Sequence, residues 1–132
     1  MPTKGQVRVW AEAYRVAWEN ADGDAVAALF TEDTSYRSLI YEEPHRGRSG
    51  VTDYWTGVTG EQSDVTVLMG APFVDGSRAW VEFWTTMRVG GAPVTLAGCL
   101  LLDFDDEGSC SDLREYWNFT DGTHRPPEGW GR

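Results

Sequence analysis

Residues 41–50 read YEEPHRGRSG and place two carboxylates, Glu42 and Glu43, beside His45, one of only two histidines in the chain. Carboxylates next to an imidazole could bind a metal or transfer protons in acid–base chemistry. The other histidine, His124, lies far away in sequence, and the two cysteines form no CxxC motif, so no zinc-binding pattern is present. We therefore expect no metal and no other cofactor. An acid–base site and a charged surface turn remain as alternatives.

The segment 112–119, DLREYWNF, contains a second residue that could transfer protons, Glu115. Its alternation places three apolar residues on the same face as Glu115, namely Leu113, Trp117 and Phe119. A carboxyl buried on such a face without a cation has a raised pKa, which makes it a general acid or base near neutral pH. Alternatively, Glu115 belongs to a structural network, and its partner would be His45, Tyr36 or Tyr14.

The composition is typical of a single globular domain: 132 residues, 41% hydrophobic and 24% charged. The net charge is −10, and lysine and arginine form no long run, which argues against binding to nucleic acid or to an anionic membrane surface. No stretch reaches the ~18 apolar residues of a membrane-spanning helix, and no apolar signal segment is visible at the N-terminus. The seven tryptophans suffice to line a pocket or an interface as well as a core.

The two cysteines, Cys99 and Cys110, flank the sequence DFDDEGS, which predicts a hairpin turn. A turn centred near Glu107 pairs Cys110 with a residue near Phe104 rather than with Cys99. We therefore expect no disulfide, and a chain without disulfides fits a cytoplasmic location.

The order of predicted elements is three helices and a strand, followed by strands only. Apolar spacing predicts an amphipathic helix over 5–21, a short helix over 25–30 capped by Asp24, and a third helix over 49–58. Alternation and turn residues predict strands over 34–41, 64–74, 78–89, 93–104 and 109–119. The expected fold is one α+β domain over 1–119, in which the helices cover one face of a curved sheet and enclose a cone-shaped cavity. An irregular tail over 120–132 follows.

Three segments, which together cover most of residues 10–118, read AYRVAWENADGDAVAALFTEDTSY, PHRGRSGVTDYW and LLLDFDDEGSCSDLREYWN. They resemble the cone-fold superfamily of nuclear transport factor 2, and within it the SnoaL-like polyketide cyclases and the ketosteroid isomerases. The resemblance implies a cone-shaped barrel with three N-terminal helices on a curved, mostly antiparallel sheet. It specifies function less closely, because the superfamily includes isomerases, cyclases, epoxide hydrolases, dehydratases and non-catalytic binders.

The resemblance also bears on the stretch 41–50. In the family, the motif P-x-x-GR forms the loop from the first strand into the third helix. It implies that Pro44 and Gly47 shape this turn and that Arg48 begins the helix. His45 and Glu43 remain candidates for function, because this loop often lies at the mouth of the cone.

Compared with the ketosteroid isomerases, Tyr14 falls at the position of the oxyanion tyrosine, Ser38 at the position of the base, and Leu100 at the position of the second oxyanion acid. Serine without an adjacent base cannot remove a proton from carbon, and leucine cannot donate one, so steroid isomerisation by that mechanism is disfavoured. SnoaL-like cyclases carry an inward-pointing acid on the last strand, close to the position of Glu115. Alternatively, Tyr14 is a core tyrosine with a satisfied hydroxyl.

The strand predicted over 78–89 has two distinct faces. The family pattern places five residues inside: Ala79, Val81, Phe83, Thr85 and Met87. Trp80 and Trp84 then stand on the outer face beside Tyr116, and such an apolar patch predicts a homodimer through this face. If the two faces are exchanged, both tryptophans line the cone instead.

We predict a SnoaL-like protein that binds a hydrophobic small molecule, such as a polyketide-like or terpenoid-like compound. As an enzyme it would catalyse cyclisation, isomerisation, dehydration or epoxide opening without a cofactor, through Glu115 assisted by Tyr14 and His45. The predicted ligand-binding residues are Trp18, Tyr36, Ser38, Trp55, Phe83, Leu100, Leu113 and Trp117. The alternatives are a non-catalytic ligand-binding domain and a structural dimerisation module, and a cavity of ~300 Å³ or more would argue against the latter.

Overall fold

Helix α1 spans Lys4–Glu19 in the computed structural model, which describes all residues from 1 to 132. Thr3 begins it with a capping box: its Oγ1 accepts from the Gln6 N–H at 3.1 Å, and the Gln6 side chain accepts from the Thr3 N–H at 2.8 Å. The apolar face predicted from spacing is buried, and it consists of Val7, Trp10, Ala11, Tyr14, Ala17 and Trp18.

Helix α2 spans Gly23–Ala27, and its cap differs from the prediction. Asp22, not Asp24, is the N-cap, and its Oδ1 accepts from the Ala25 N–H at 3.0 Å. The predicted cap was wrong because the helix starts two residues earlier than its apolar residues indicate. Asp24 therefore lies inside the first turn, where its charge suits the helix dipole.

Helix α3 spans Gly47–Thr59 and starts at the P-x-x-GR motif. Gly47 has φ +71°, a left-handed conformation that disfavours other residues. The Arg48 Nε donates to the Phe30 carbonyl at 2.9 Å and so ties the start of α3 to the beginning of the first strand. Both residues therefore serve the structure of the loop, as the resemblance implied.

One sheet contains all seven strands. They are β1 Phe30–Arg37, β2 His45–Arg46, β3 Gln62–Met69, β4 Phe73–Asp75, β5 Arg78–Val89, β6 Ala92–Phe104 and β7 Cys110–Asp121. The strand order is β2-β1-β7-β6-β5-β3, and β4 also pairs with β5. All pairs are antiparallel except β1 with β7, which is parallel. Three helices and a curved, unclosed, mostly antiparallel sheet confirm the predicted α+β cone fold. None of the helices combines the length and the apolar character needed to span a bilayer.

Strand β1 starts and ends four residues earlier than predicted. Residues 31–33, which fall between the predicted second helix and the predicted strand, lie within β1. The pairing of β1 with β7 changes register between Phe30 and Ser35, and such an irregularity breaks the alternation from which the strand was predicted. Residues 38–41 lie beyond the strand end, and Tyr41 is fully exposed there.

The two faces of β5 are as predicted. The five residues expected inside, Ala79, Val81, Phe83, Thr85 and Met87, are all buried. Trp80 and Tyr116 stack on the outer face with ring centroids 6.4 Å apart, and they are 38% and 40% exposed. Strand β6 pairs Phe104 with Cys110, and both cysteines are free, which confirms the predicted hairpin register.

The tail after β7 packs against the outer face of the sheet. Residues 122–132 contain no helix or strand. The Trp84 Nε1 donates to the His124 carbonyl at 2.9 Å, and the Trp84 ring makes an edge contact with Trp130 at 6.1 Å between centroids. The Gly131 N–H donates to Glu82 Oε1 at 3.2 Å. Trp84 is therefore partly covered by the chain's own tail.

Candidate functional site

Glu115 lies in the middle of β7, on the face that points into the cone. It is opposite Leu100 of β6 and only 8% exposed. The one hydrogen bond of its side chain within the protein comes from the Tyr36 hydroxyl on β1, which donates to Oε1 at 3.4 Å. None of the ion pairs in the structure includes Glu115. This carboxyl is therefore buried without a compensating cation.

Burial raises the pKa of Glu115 to about 8, because desolvation penalises its charged form. The hydrogen bond from Tyr36 favours the carboxylate and opposes this rise. The direction of the pKa shift agrees with the prediction from sequence. Glu115 is therefore mainly protonated at neutral pH and can donate a proton.

Two tyrosine hydroxyls extend the hydrogen bonding away from Glu115. The oxygens of Tyr14 and Tyr36 lie 2.7 Å apart, and both side chains are buried. Desolvation, reinforced by the nearby Glu115 charge, raises the pKa of both phenols well above the ordinary range, so both remain protonated. A hydroxyl carries one proton, so when Tyr36 donates to Glu115, Tyr14 must donate to Tyr36.

A cavity of about 300 Å³ adjoins Glu115. Its wall contains four aromatic side chains, which are Trp18, Tyr54, Trp55 and Trp117, and three aliphatic ones, which are Leu39, Val58 and Leu96. The polar residues of the wall are Ser38, Gln62 and Glu115. A second, more open depression of about 790 Å³ shares Leu39, Glu115 and Trp117 with the cavity, and its wall also includes the outward-facing Tyr116.

Two indole hydrogen bonds hold the cavity wall in place. The Trp117 Nε1 donates to the Ser38 carbonyl at 2.7 Å, which fastens the segment after β1 against β7. The Trp18 Nε1 donates to Gln62 Oε1 at 3.0 Å, which joins α1 to the start of β3. A buried indole needs an acceptor, and these two bonds satisfy Trp18 and Trp117, whereas the buried Nε1 of Trp55 has no partner within the protein.

Gly98 lets β6 and β7 approach each other closely beside this wall. A Cβ at position 98 would lie 2.3 Å from the Tyr116 carbonyl oxygen and 2.7 Å from the Trp117 Cβ. Both distances are far below van der Waals contact, so a side chain there would displace β7. The glycine therefore helps to determine where Trp117 stands in the cavity.

Half of the predicted ligand-binding residues lie on the cavity wall: Trp18, Ser38, Trp55 and Trp117. The other four, Tyr36, Phe83, Leu100 and Leu113, are fully packed in the core and are not on the wall. Tyr36 nevertheless reaches the site through its hydroxyl, which contacts Glu115. The structure thus brings Glu115, Tyr14 and Tyr36 together beside the cavity.

His45 is not brought to Glu115. It lies on β2 opposite Tyr36, and its ring packs against Tyr54 with centroids 4.5 Å apart. It makes no hydrogen bond to Glu115 and is not on the cavity wall. Glu43 is exposed and only forms a 3.8 Å ion pair with Arg46. The stretch 41–50 is therefore mainly a turn that leads into α3. No group of three His, Cys, Asp or Glu side chains converges as in a metal site.

Two residues of the cavity wall that can form hydrogen bonds were not predicted from the sequence, Tyr54 and Gln62. Tyr54 had a signal, because it lies on the apolar face of the third helix between Val51 and Val58. Desolvation and the Glu115 charge raise its pKa, while contact with the Ser38 hydroxyl opposes the rise. Gln62 had no signal, because its place in the wall depends on Trp18, 44 residues away.

The chain matches one known protein family and is similar to several solved structures. Residues 11–111 match the SnoaL-like domain. A hypothetical protein from Catenulispora acidiphila, with a ketosteroid isomerase-like fold and in complex with trimethylamine, is 19% identical, with 81% of this chain and 83% of that chain covered and a TM-score of 0.73. No curated protein matches the chain.

Two further solved structures are similar. The epoxide hydrolase/cyclase-like enzyme SalBIII, described for pyran ring formation in the polyether salinomycin, is 19% identical over 90% of this chain and 97% of its own, with a TM-score of 0.77. A LEH-like epoxide hydrolase from M. tuberculosis is 22% identical over 89% of this chain and 86% of its own, with a TM-score of 0.72. At these identities the structures establish the shared fold.

Proposed function

The chain belongs to the SnoaL-like domain family, and on that premise we propose that it is a cofactor-independent acid–base enzyme for a hydrophobic small molecule. One observation carries the proposal: Glu115 is a buried carboxyl without a cation, on the wall of a largely aromatic cavity. A carboxyl that stays protonated at neutral pH in such a place is suited to act as a general acid.

The cavity favours a small, mainly apolar ligand. Its volume of about 300 Å³ is at the lower end of the range for ligand pockets. Seven of its ten wall residues are aromatic or aliphatic, so apolar parts of a ligand would be well matched. A polyketide-like or terpenoid-like fragment with an oxygen near Glu115 fits this description.

The reaction class we favour is epoxide opening, by water or by a hydroxyl of the same molecule. Glu115 would give its proton to the epoxide oxygen as the C–O bond breaks and the incoming oxygen bonds to carbon. The proton lost by that incoming oxygen would return to the Glu115 carboxylate, which restores the acid. The two similar enzymes described as epoxide hydrolase or epoxide hydrolase/cyclase-like support this class.

Tyr36 and Tyr14 would support the acid during the reaction. The Tyr36 hydroxyl can donate to the carboxylate that forms when Glu115 loses its proton, and Tyr14 in turn donates to Tyr36. Tyr14 acts through Tyr36 and is therefore a positioning residue in this proposal. We assign no proton transfer to His45, whose ring packs on Tyr54.

The test is turnover of simple epoxides of suitable size, styrene oxide and cyclohexene oxide, with diol formation measured by gas chromatography. Glu115→Gln should lower the rate by roughly 10²–10⁴-fold, because the amide cannot transfer the proton. Glu107→Gln, in an exposed turn, is the matched control and should keep full activity. Unchanged turnover in folded Glu115→Gln would overturn the role of Glu115.

The second candidate function is non-catalytic binding of the same kind of ligand. It is favoured by the tyrosine that already occupies one Glu115 oxygen, as a structural network would require. Saturable binding of an apolar compound, with no diol formed by the native protein from either epoxide, would support this candidate over the enzyme.

We also propose a symmetric homodimer through the outer face of the sheet. Trp80 and Tyr116 support it, because they form an exposed stacked pair there, although the tail reduces the contribution of Trp84. Light scattering should give a mass near twice 14.7 kDa at micromolar concentration, and a monomeric mass would contradict the proposal. The two free cysteines support our further proposal of a cytoplasmic location.

A further inference from the structure

Gln62 presents an unused hydrogen-bond donor at the cavity wall. An indole N–H can only donate, so the Gln62 atom that faces Trp18 must be the amide oxygen. This contact fixes the orientation of the amide, so its nitrogen, Nε2, is the atom that does not face Trp18. Nε2 forms no hydrogen bond within the protein and is not among the enclosed unpaired polar atoms. It is therefore an unpaired, accessible donor on a residue that lines the cavity.

Gln62 and Glu115 approach the cavity from different parts of the sheet. Gln62 is the first residue of β3 and Glu115 lies on β7, with β6 and β5 between them. Across β6, Glu115 is in register with position 81 of β5, whereas Gln62 pairs with position 89. The two residues are therefore separated along the strands as well as across them, and both nevertheless line one cavity. Between the two polar groups the wall is formed by aromatic rings, including Trp18 and Trp55.

We infer that Gln62 is a specificity-determining residue whose amide N–H donates to a second oxygen of the ligand. The substrate class is then an apolar molecule with two separated oxygen functions, one at Glu115 and one at Gln62. This inference rests on the proposed ligand site and adds its second polar anchor. The competing explanation is that Gln62 only accepts the hydrogen bond from Trp18 and has no role toward the ligand.

Two variants of Gln62 separate these explanations. Gln62→Glu keeps oxygens that can accept from Trp18 but has no N–H to donate, whereas Gln62→Met loses both functions. Thermal stability should therefore be retained better in Gln62→Glu than in Gln62→Met. Ser63→Ala, at the exposed neighbouring position, is the control and should resemble the native protein.

Two pairs of probes with different spans report on the donor. The first pair is 6-methoxy-2-tetralone and 6-ethyl-2-tetralone, and the second is 4-(4-methoxyphenyl)-2-butanone and 4-(4-ethylphenyl)-2-butanone. Within each pair, the second oxygen of the methoxy compound is replaced by a methylene group of similar size. Quenching of tryptophan fluorescence gives the affinities, because Trp18, Trp55 and Trp117 line the cavity.

The native protein should bind the methoxy member of at least one pair about 3- to 10-fold more tightly, which corresponds to one hydrogen bond. This preference should disappear in both Gln62→Glu and Gln62→Met and persist in Ser63→Ala. A preference that persists in Gln62→Glu, or is absent from the native protein for both pairs, would overturn the role of Gln62 but leave the ligand site standing. Failure of all four probes to bind would overturn the ligand site and, with it, this inference.

Discussion

Replacing Glu115 by glutamine should change how the stability of the protein depends on pH. In the native protein, the folded state keeps Glu115 protonated up to a pKa of about 8, whereas the unfolded state loses this proton near the ordinary value of 4.5. Between these two values the folded state binds more protons than the unfolded state, so the free energy of unfolding falls as the pH rises. The stabilising effect of the protonated carboxyl is complete below pH 4.5 and is lost by about pH 8. Glutamine does not titrate, so the variant does not lose this part of its stability as the pH rises.

The size of the effect follows from the two pKa values. Each unit of pKa difference corresponds to about 1.4 kcal/mol, so a rise from 4.5 to about 8 gives an upper limit of roughly 5 kcal/mol. Relaxation and water entry around the buried carboxylate lower this value. We expect Glu115→Gln to gain several kcal/mol of stability relative to the native protein between pH 5 and pH 8. The gain should level off above pH 8.

Urea unfolding at each pH unit from 5 to 9, followed by tryptophan fluorescence, measures this difference directly. Comparing variant with native protein at each pH cancels the titration of the many other carboxylates. Glu107→Gln, in the exposed turn, should differ from the native protein by the same small amount at every pH. A Glu115→Gln difference that stays constant within about 1 kcal/mol from pH 5 to pH 8 would refute the raised pKa, and with it the argument for a general acid.

Three further predictions concern single contacts of the fold and site. Tyr36→Phe should lower the free energy of unfolding by about 1–3 kcal/mol, because it removes a buried hydroxyl that bonds both Tyr14 and Glu115. It should also raise the pKa of Glu115 further, because this hydroxyl stabilises the carboxylate. An NMR titration that shows a lowered pKa for Glu115 would contradict this. Gly98→Ala should destabilise the protein by about 3 kcal/mol or more in urea unfolding, and a stability equal to that of the native protein would rule out the close strand approach. Gly47→Ala should lower the free energy of unfolding by about 1–2 kcal/mol because of the positive φ at this position. Gly57→Ala, in open space on α3, should raise it by about 0.5–1 kcal/mol. Equal effects of the two variants in urea unfolding would disprove the argument from backbone conformation.

The sequence predicted those parts of the fold in which one face of an element is apolar and the other is not. Strand β5 is the clearest case, since Phe83 and its alternate neighbours are buried while Trp80 stands outside. The same period of two predicted that Glu115 is buried, because its neighbours at 113 and 117 are apolar. Local patterns of this kind require no knowledge of distant residues.

The parts that were missed depend on long-range contacts. The polar residues 31–33 showed no strand pattern, and only the irregular pairing with β7 makes them part of β1. Gln62 enters the cavity wall because Trp18 reaches it from α1, and nothing near Gln62 in sequence indicates that contact. His45 was expected near Glu115 from its place at the cone mouth, but the position of Tyr54 on α3 decides where its ring lies.

The parallel pairing of β1 with β7 determines when the site can form during synthesis. Tyr36 and Glu115 are 79 residues apart in the chain, although their side chains meet in the folded protein. At a synthesis rate of about 5–20 residues per second, β1 waits roughly 4–16 s on the ribosome before its partner exists. Pairings of such long sequence separation also slow folding, because the loop between them must close first. The helices and β1 therefore emerge before Glu115 exists, and the raised pKa of this carboxyl can arise only once β7 lies beside β1.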